Sequence, residues 1–448
     1  MKKYIKQTTV FFTSVVLTCS ILFGALINPV SGFYYDCDLN KMHDEFVAEF
    51  GYEFVKNYKH AIETIEELYD YFPTSEFGAV YPDYFGGRYI NDEGELVLLK
   101  APLNGSMITP TFKYFDDTIV KEVEFSFNEL SAKMDLLDEY SSKSENIENV
   151  SGWALDSALN RIIIYLIDYS DEAINSFRNE IMDSPKFMFE EGEEISQVDA
   201  LQSEEEEVNL PKEPIISNPV ARASRTLYPG DTLTFWRSGV GWLNQSLSIG
   251  YRTYQLFSNG FWQAGFITAA HVGADSITGW GLRNGDIVAD SNFSRIGVVN
   301  GAELYGYDAA FVLLDNPNQV MPINSDSGNS MYGWIVQGQV LWMHGGRSGW
   351  QSGFVLNERS TILLGPIATL NGPPLYTNVY NVISASYFGQ PGDSGSPVYT
   401  TQVINNRTYI TGVAGIHIAR NQNLARSFVS RADHIRYMHS PNVTYILR

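Results

Sequence analysis

The segment GQPGDSGSPVYT, residues 389–400, places a single serine between an aspartate and a glycine. Gly392, two residues before Ser394, allows the backbone to turn so that two N–H groups point to one spot. The following residues have the alternating pattern of a strand, which does not fit the strand-to-helix elbow of G-x-S-x-G hydrolases. Ser394 is therefore either a nucleophile or a residue of a tight turn, and its neighbours favour the nucleophile.

A serine hydroxyl needs a base to remove its proton, and a carboxylate to orient that base. Among seven histidines, His271 ends the buried-strand pattern FITAAH, residues 266–271. Asp308 begins the apolar run DAAFVLL, where an aspartate without a partner would be costly. These residues predict a His–Asp–Ser constellation with Ser394. Taken alone, His271 could also be a histidine that happens to end a strand.

The two halves of the 448-residue chain differ in charge. Residues 1–220 hold 16 Lys and Arg against 41 Asp and Glu, a net charge of −25. Residues 221–448 hold 14 Arg, no Lys and 11 Asp and Glu, a net charge of +3. The chain has no basic excess that would favour nucleic-acid binding. No metal-ligand spacing and no dinucleotide or phosphate motif stands out, so no cofactor and no metal are predicted.

The first 32 residues have the pattern of a signal peptide, with three lysines ahead of an uncharged apolar run. Cleavage before Phe33 would release a secreted, extracellular protein. The alternative is an uncleaved segment that anchors the protein in a membrane. The only cysteines are Cys19 and Cys37, so no disulfide can form after cleavage.

The first half is predicted to be α+β. An amphipathic helix covers residues 41–72, broken near Gly51, and two strands flank the turn at residues 91–94. A helix at 127–146, a strand at 161–167 and a helix at 171–183 follow. Residues 190–219 are rich in glutamate and proline and are interpreted as an exposed linker.

From Tyr228 onward, short runs of Val, Ile, Thr, Tyr and Phe alternate with turn residues. This texture predicts an all-β domain, either a sandwich or a pair of barrels, over residues 225–448. One amphipathic helix is predicted at 431–439. His344 lies in the glycine-rich MHGGRSGW, which is predicted to form a turn and is given no catalytic role.

The motifs FITAAHV, YDAAFV and GDSGSPV resemble the three catalytic motifs of chymotrypsin-like (trypsin-like) serine proteases. The resemblance extends over roughly residues 225–448 and includes the closing SFVSRADHI. It implies two antiparallel six-stranded β-barrels with the site between them. It also implies that His271 is the general base, Asp308 its orienting acid and Ser394 the nucleophile. The N–H groups of Gly392 and Ser394 would form the oxyanion hole.

Within that family, the cysteine-free domain and the Gly-Ser-Pro after the nucleophile resemble bacterial members. FGGRYINDEGELVLL and VSGWALDSALNRIIIYLID are similar to the pro-regions of alpha-lytic protease and the streptogrisins. The similarity implies a zymogen whose pro-region, residues 33–189, is a partner of its own protease domain, as folding catalyst and inhibitor. The maturation site would lie in the linker, residues 190–224.

Two residues bear on which substrates would fit. The resemblance implies that Phe388, six residues before Ser394, is a pocket residue, and it is apolar where an acid would indicate cleavage after Arg or Lys. His417, in GIHIA, resembles a histidine with which glutamyl endopeptidases contact an acidic substrate side chain. An acidic preference would also make the linker segment SEEEE, residues 203–207, a site of self-cleavage. The alternative is an apolar preference, with His417 as a hydrogen-bonded structural residue. The chain departs from glutamyl endopeptidases at Ala419-Arg420, where those enzymes tend to have glycines.

The sequence therefore predicts an exported serine endopeptidase that cleaves protein or peptide substrates through an acyl-enzyme. Two alternatives share the same fold. One is a catalytically inert protein that binds peptides in the same cleft, and the other is an esterase that uses the same three residues.

Overall fold

A computed structural model describes residues 39–72, 74–75, 78–102, 118–143, 147, 149–195, 212–214, 226–257, 259–274, 281–320, 331–332, 335–367, 369, 373, 375–405, 407–421, 423, 425–436 and 445–446. The predicted signal peptide and the SEEEE segment lie outside these residues. In the described part of the chain, no helix is both long enough and apolar enough to span a membrane.

The helices of the described residues lie mostly in the first half. They are α1 (Leu39–Phe50), α2 (Tyr52–Tyr71), α3 (Phe127–Lys143), α4 (Asp171–Glu180) and α5 (Ala432–Ile435). Gly51 separates α1 from α2 with a φ of 86°, so the predicted break in the first helix is confirmed. Phe46 on α1 and Tyr58 and Ile65 on α2 are buried, as the apolar face of an amphipathic helix requires.

The strands of the first half are β1 (Thr74–Ser75), β2 (Gly78–Ala79), β3 (Phe85–Ile90), β4 (Leu96–Lys100), β5 (Ile119–Glu122), β6 (Val150–Asp156), β7 (Arg161–Leu166) and β8 (Phe187–Glu191). The predicted hairpin is confirmed, because β3 and β4 pair across a turn in which Asn91 Oδ1 accepts from Glu95 N at 2.8 Å. The prediction that an exposed linker begins at Glu190 is wrong about where the linker starts. Strand β8 continues to Glu191, and Ile195 is buried against Leu364.

The strands of the second half are β9 (Thr232–Arg237), β10 (Gly241–Ser248), β11 (Arg252–Leu256), β12 (Trp262–Thr268), β13 (Ile287–Asp290), β14 (Arg295–Glu303), β15 (Ala309–Leu314), β16 (Met331–Tyr332), β17 (Val340–Gly345), β18 (Gly349–Ile367), β19 (Leu375–Ala385), β20 (Pro397–Ile404), β21 (Arg407–Asn421), β22 (Arg426–Arg431) and β23 (Tyr445–Ile446). The predicted class, an all-β half preceded by an α+β half, is confirmed.

The strands of the second half form two sheets. The first has eight strands in the order β10–β9–β13–β14–β15–β12–β11–β23. It exceeds the predicted six in part because β23, from the end of the chain, pairs with the edge strand β11. In the second sheet, β17–β20–β21–β22–β19–β18 are closed into a ring by the pairing of β17 with β18. The two sheets share one core, which includes Phe266 and Ile416.

The first half is joined to this second sheet rather than set apart from it. β6 pairs with β18 from Arg359↔Leu155 to Ile362↔Gly152, and β7 and β8 continue the sheet beyond β6. A second core packs α1 and α2 against Val340, Trp342 and Val403 of the second half.

A buried ion pair also links the halves. Arg88 on β3 is 2% exposed, and its Nη2 lies 3.1 Å from Oε2 of Glu358 on β18. Ser157 Oγ donates to the same glutamate at 3.2 Å. Two buried charges of opposite sign are tolerated here because each supplies the other's counter-charge.

The first prediction concerns this pair. We expect Glu358→Ala to lower the free energy of unfolding by ~3–5 kcal/mol, because it leaves the Arg88 guanidinium buried without its carboxylate. Glu63→Ala is the control: Glu63 pairs with Lys59 at 3.6 Å on the exposed face of α2, and its loss should change stability by less than ~1 kcal/mol. Urea unfolding of the full chain measures both, and equal small losses would contradict the prediction.

Candidate functional site

The predicted histidine and aspartate lie in direct contact at the ends of paired strands. β12 ends at Thr268, which pairs with Ala310 of β15, so the residues beyond these strand ends are neighbours. His271 Nδ1 is 2.7 Å from Asp308 Oδ2, and both side chains are completely buried. The other oxygen of Asp308 accepts from Ala270 N at 2.9 Å. Asp308 has a φ of 46°, a conformation that costs free energy unless the surroundings fix it.

The chain that follows His271 is held by an arginine that the sequence analysis missed. Arg237, on β9, forms a buried ion pair with Asp286, with Nη2 and Oδ2 2.7 Å apart. The same guanidinium donates to Gly273 O at 3.0 Å and to Gly281 O at 2.9 Å. These bonds fix the backbone on both sides of the segment after His271. A single arginine in a strand pattern offered no signal for this role.

Ser394 lies in a tight turn that leads into β20. Gly392 and Gly395 have φ values of 92° and 86°, which favour glycine. Asp393 N donates to Gln390 O at 3.0 Å, and the serine carbonyl accepts from Ser248 N at 2.8 Å. The N–H groups predicted to bind an oxyanion, those of Gly392 and Ser394, flank the N–H of Asp393 in this turn.

The serine turn packs directly on the strand that leads to His271. Thr268 Oγ1, near the end of β12, donates to Ser248 O at 2.8 Å. A Cβ added at Gly395 would overlap Thr268 Oγ1 and lie 2.6 Å from Ser248 O. The close approach therefore requires glycine after Ser394. The structure thus brings the turn of Ser394 and the His271–Asp308 pair into one region.

The aspartate beside Ser394 is buried and holds the glycine-rich hairpin of His344. Asp393 Oδ1 accepts from Arg347 N at 2.8 Å and from Ser348 N at 3.1 Å, and Oδ2 accepts from Gln390 N at 2.7 Å. Burial raises the pKa of Asp393, and these hydrogen bonds partly offset that rise. The predicted turn at MHGGRSGW is present between β17 and β18. Its backbone has a structural role at the site that the sequence analysis did not foresee.

His417 is enclosed rather than open. It is fully buried on β21, its N donates to Ser396 O at 2.8 Å, and its Nδ1 lies 3.1 Å from Tyr387 Oη. Burial lowers the pKa of His417 to about 3, and the charges of Arg420 and His271 add to the effect. The imidazole is therefore neutral near pH 7. This environment agrees with the structural alternative considered for His417 and not with a cationic imidazole.

The second predicted pocket residue, Phe388, is half-buried and carries a cation on its face. The guanidinium carbon of Arg420 lies 3.6 Å from the centre of the Phe388 ring, a cation–π contact. Arg420 Nη1 also donates to Gly389 O at 3.1 Å. Phe388, His417 and Arg420 thus meet at the segment that precedes the serine turn.

Comparison with known protein families and solved structures gives separate results for parts of the chain. The family model described as Pro-like N-terminal domain matches residues 51–101, and Pro-like C-terminal domain matches residues 128–192. The predicted resemblance of the first half to a pro-region is therefore confirmed. No curated protein matches the chain.

Solved bacterial serine proteases resemble the chain over about half its length. Protease A of Thermobifida fusca is 18% identical over 50% of this chain and 100% of its own, with a TM-score of 0.34. A glutamic acid specific serine protease that uses a histidine triad in substrate binding is 16% identical over 49% and 99%, with a TM-score of 0.33. Alpha-lytic protease homolog N4 is 17% identical over 46% and 93%, with a TM-score of 0.29. At these values, the assignment of function rests on the geometry of the site itself.

The second prediction follows from the buried state of His417. Its folded pKa, about 3, lies below the ordinary 6.5, so the unfolded chain takes up this proton first as the pH falls. The free energy of unfolding should therefore fall by up to ~1.4 kcal/mol per pH unit from this group as the pH drops below 6.5.

Urea unfolding at pH 6.5 and pH 4.5 tests this dependence. We expect His417→Gln to be less sensitive to acid than the unchanged chain, whereas His60→Gln, at an exposed position on α2, should match the unchanged chain. Identical acid sensitivity in all three proteins would exclude a buried neutral His417.

Proposed function

We propose that the chain is a secreted serine endopeptidase synthesised with an N-terminal pro-region. The observation that carries the proposal is the buried His271–Asp308 pair, 2.7 Å between Nδ1 and Oδ2, beside the Gly-Asp-Ser-Gly turn of Ser394. A buried carboxylate that holds one imidazole nitrogen leaves the other nitrogen to act as a base.

In the proposed reaction, His271 Nε2 accepts the proton of Ser394 while the serine oxygen attacks the carbonyl carbon of the peptide bond. The carbonyl oxygen gains negative charge, which the N–H groups of Gly392 and Ser394 stabilise. The C–N bond then breaks as His271 gives its proton to the leaving amine. Water repeats the sequence, with His271 as base, and releases the acid from the acyl-enzyme.

Asp308 stabilises the imidazolium that forms in each step and keeps Nδ1 protonated. Asp393 and Arg237 do not touch the substrate in this scheme. They are positioning residues: Asp393 holds the serine turn against the 345–349 hairpin, and Arg237 holds the chain after His271.

We further propose that the chain divides into a signal peptide at 1–32, a pro-region that runs from residue 33 through the buried Ile195, a linker at 196–224 and a protease domain at 225–448. Ion pairs that join the acidic first half to the second half support this division. Arg359 on β18 pairs with Asp135 at 2.6 Å and with Asp138 at 3.1 Å on α3. The acidic first half thus serves as an intramolecular partner of an arginine-bearing second half.

The third prediction tests the triad. Asp308→Asn should lower kcat/KM for a peptide substrate by roughly 10⁴-fold, because an amide cannot fix and stabilise the imidazole in the required state. Ser394→Ala should abolish covalent labelling by a fluorophosphonate. Asp315→Asn is the matched control, since Asp315 directly follows the strand that Asp308 precedes and pairs with Arg295.

Assays use the secreted chain and a mixed peptide library analysed by mass spectrometry. Hydrolysis of simple esters without cleavage of any peptide would favour an esterase. Binding of peptides without turnover and without labelling of Ser394 would favour the inert peptide-binding alternative.

The fourth prediction concerns maturation. The unchanged chain should cut itself within residues 196–224, beyond the buried Ile195, and release a fragment that begins near residue 225. Ser394→Ala should remain uncut under the same conditions. Intact-mass measurements over time decide the matter, and processing of Ser394→Ala in the purified state would show that another protease is responsible.

A further inference from the structure

Arg420 is a buried cation without an acidic partner. It is 7% exposed, and its Nε has no hydrogen-bond partner. Several other buried or half-buried arginines of the described residues pair with carboxylates: Arg88 with Glu358, Arg237 with Asp286, Arg359 with Asp138 and Arg431 with Asp433. Half-buried Arg252 instead donates to Tyr254 Oη and Pro317 O, each at 2.9 Å. Arg420 forms no such ion pair with any described residue. The arrangement is costly unless an anion arrives from outside.

The position of Arg420 relates it to the candidate site through its backbone neighbours. Gly389, whose carbonyl accepts from Arg420, lies five residues before Ser394. His417, three residues before Arg420 on β21, exchanges backbone hydrogen bonds with the serine turn: Gly395 N donates to His417 O at 2.7 Å. Arg420 and His271 also both act electrostatically on His417. The unpaired cation thus lies beside the serine turn and within electrostatic range of His417.

The shape of the group suits a carboxylate. The Phe388 ring covers one face of the guanidinium at 3.6 Å and Gly389 O takes one N–H, so the planar fork is held in place. A guanidinium fixed in this way can give its remaining N–H groups to both oxygens of a carboxylate. Burial lowers the pKa of Arg420 only to about 10, so it remains charged at neutral pH.

His417 is less suited to this task. It is fully buried, whereas Arg420 retains some exposure and neighbouring Phe388 is half-buried. A Cβ at Gly389 would meet the imidazole of His417, so the backbone of Gly389 covers that ring. Of the two side chains, Arg420 is therefore the one that is charged and nearer to solvent. His417 is neutral and packs beneath the backbone of Gly389.

We infer that Arg420 selects the substrate, by binding the carboxylate of an acidic side chain on the residue whose carbonyl Ser394 attacks. This inference rests on the proposed endopeptidase function. It names glutamate or aspartate as the residue that precedes the cut bond. The linker's own SEEEE segment, residues 203–207, is then a substrate of this chemistry.

The test uses the processed, secreted protein and peptides that differ only at the residue before the cut, with Glu, Asp, Gln or Leu. The unchanged protein should prefer Glu or Asp over Gln by on the order of 10- to 100-fold in kcat/KM, as a charge-assisted contact supplies. Arg420→Gln should remove this preference and retain cleavage of the Gln peptide. Arg407→Gln, an exposed arginine on the same strand, is the matched control and should keep the preference.

A second measurement needs no variant at Arg420 and so does not depend on how well one folds. The ratio of Glu to Gln cleavage by the unchanged protein should persist from pH 6 to pH 9, because the arginine stays charged. A preference that disappears across this range would indicate a titrating histidine and overturn the inference. His417→Gln should keep the preference for Glu.

The outcomes separate this inference from the function on which it rests. Equal cleavage of Glu and Gln peptides by a protein whose Ser394 reacts with a fluorophosphonate would overturn the role of Arg420 and leave the endopeptidase intact. No cleavage of any peptide and no labelling of Ser394 would overturn both. Persistence of the acidic preference in a folded Arg420→Gln protein would also overturn the role of Arg420.

Discussion

The buried carboxylate of Asp308 is the constraint on which the site depends. Both of its oxygens are engaged, one with His271 Nδ1 and one with Ala270 N. Because these partners adjoin each other in sequence, the aspartate ties the residues beyond β12 to the start of β15. The register of Thr268 with Ala310 sets the distance, and the strained φ of Asp308 is maintained by the packed core around it. A one-residue slip of either strand would put the pair on opposite faces.

In the second half, which has no lysine, the buried and half-buried ion pairs with lysine or arginine as the cation are all formed by arginine in the described residues. Its planar group can satisfy several acceptors at once, which allows burial where an ammonium would leave a donor unmet. Arg237 illustrates this, since one guanidinium holds Asp286 and two backbone carbonyls. Arg359 of the second half likewise binds more than one acceptor, since it pairs with Asp135 and Asp138 of the first half. Thr361 Oγ1 also donates to Asp138 at 2.7 Å.

The sequence predicted the local parts of the molecule well. The break at Gly51, the hairpin around Asn91 and the β texture after residue 225 depend on neighbours in the chain, and all appear in the structure. The contact of His271 with Asp308 could also be anticipated, because an aspartate at the head of an apolar strand needs a partner and the resemblance of the motifs implies that this partner is His271.

The features that escaped prediction depend on burial and on distant contacts. Asp393 is held by backbone groups 45 and 46 residues away, and backbone donors have no sequence signature. Whether His417 is charged depends on its burial beneath Gly389, which no motif records. The exposed linker was predicted to start too early because the glutamates of 190–194 conceal a strand end and the buried Ile195.

The way in which the two halves are joined bears on what a cut between them can achieve. The linker takes no part in the contacts that join the halves: the pairing of β6 with β18, the Arg88–Glu358 pair and the packing of the helices against Trp342 involve no residue between 196 and 224. Cutting the chain there would therefore leave every one of these contacts in place. Separation would expose the edge of β18 and leave Arg88 and Glu358 each without its counter-charge, which is costly. Cleavage of the linker and release of the first half are thus distinct physical events, and the second requires these contacts to be lost.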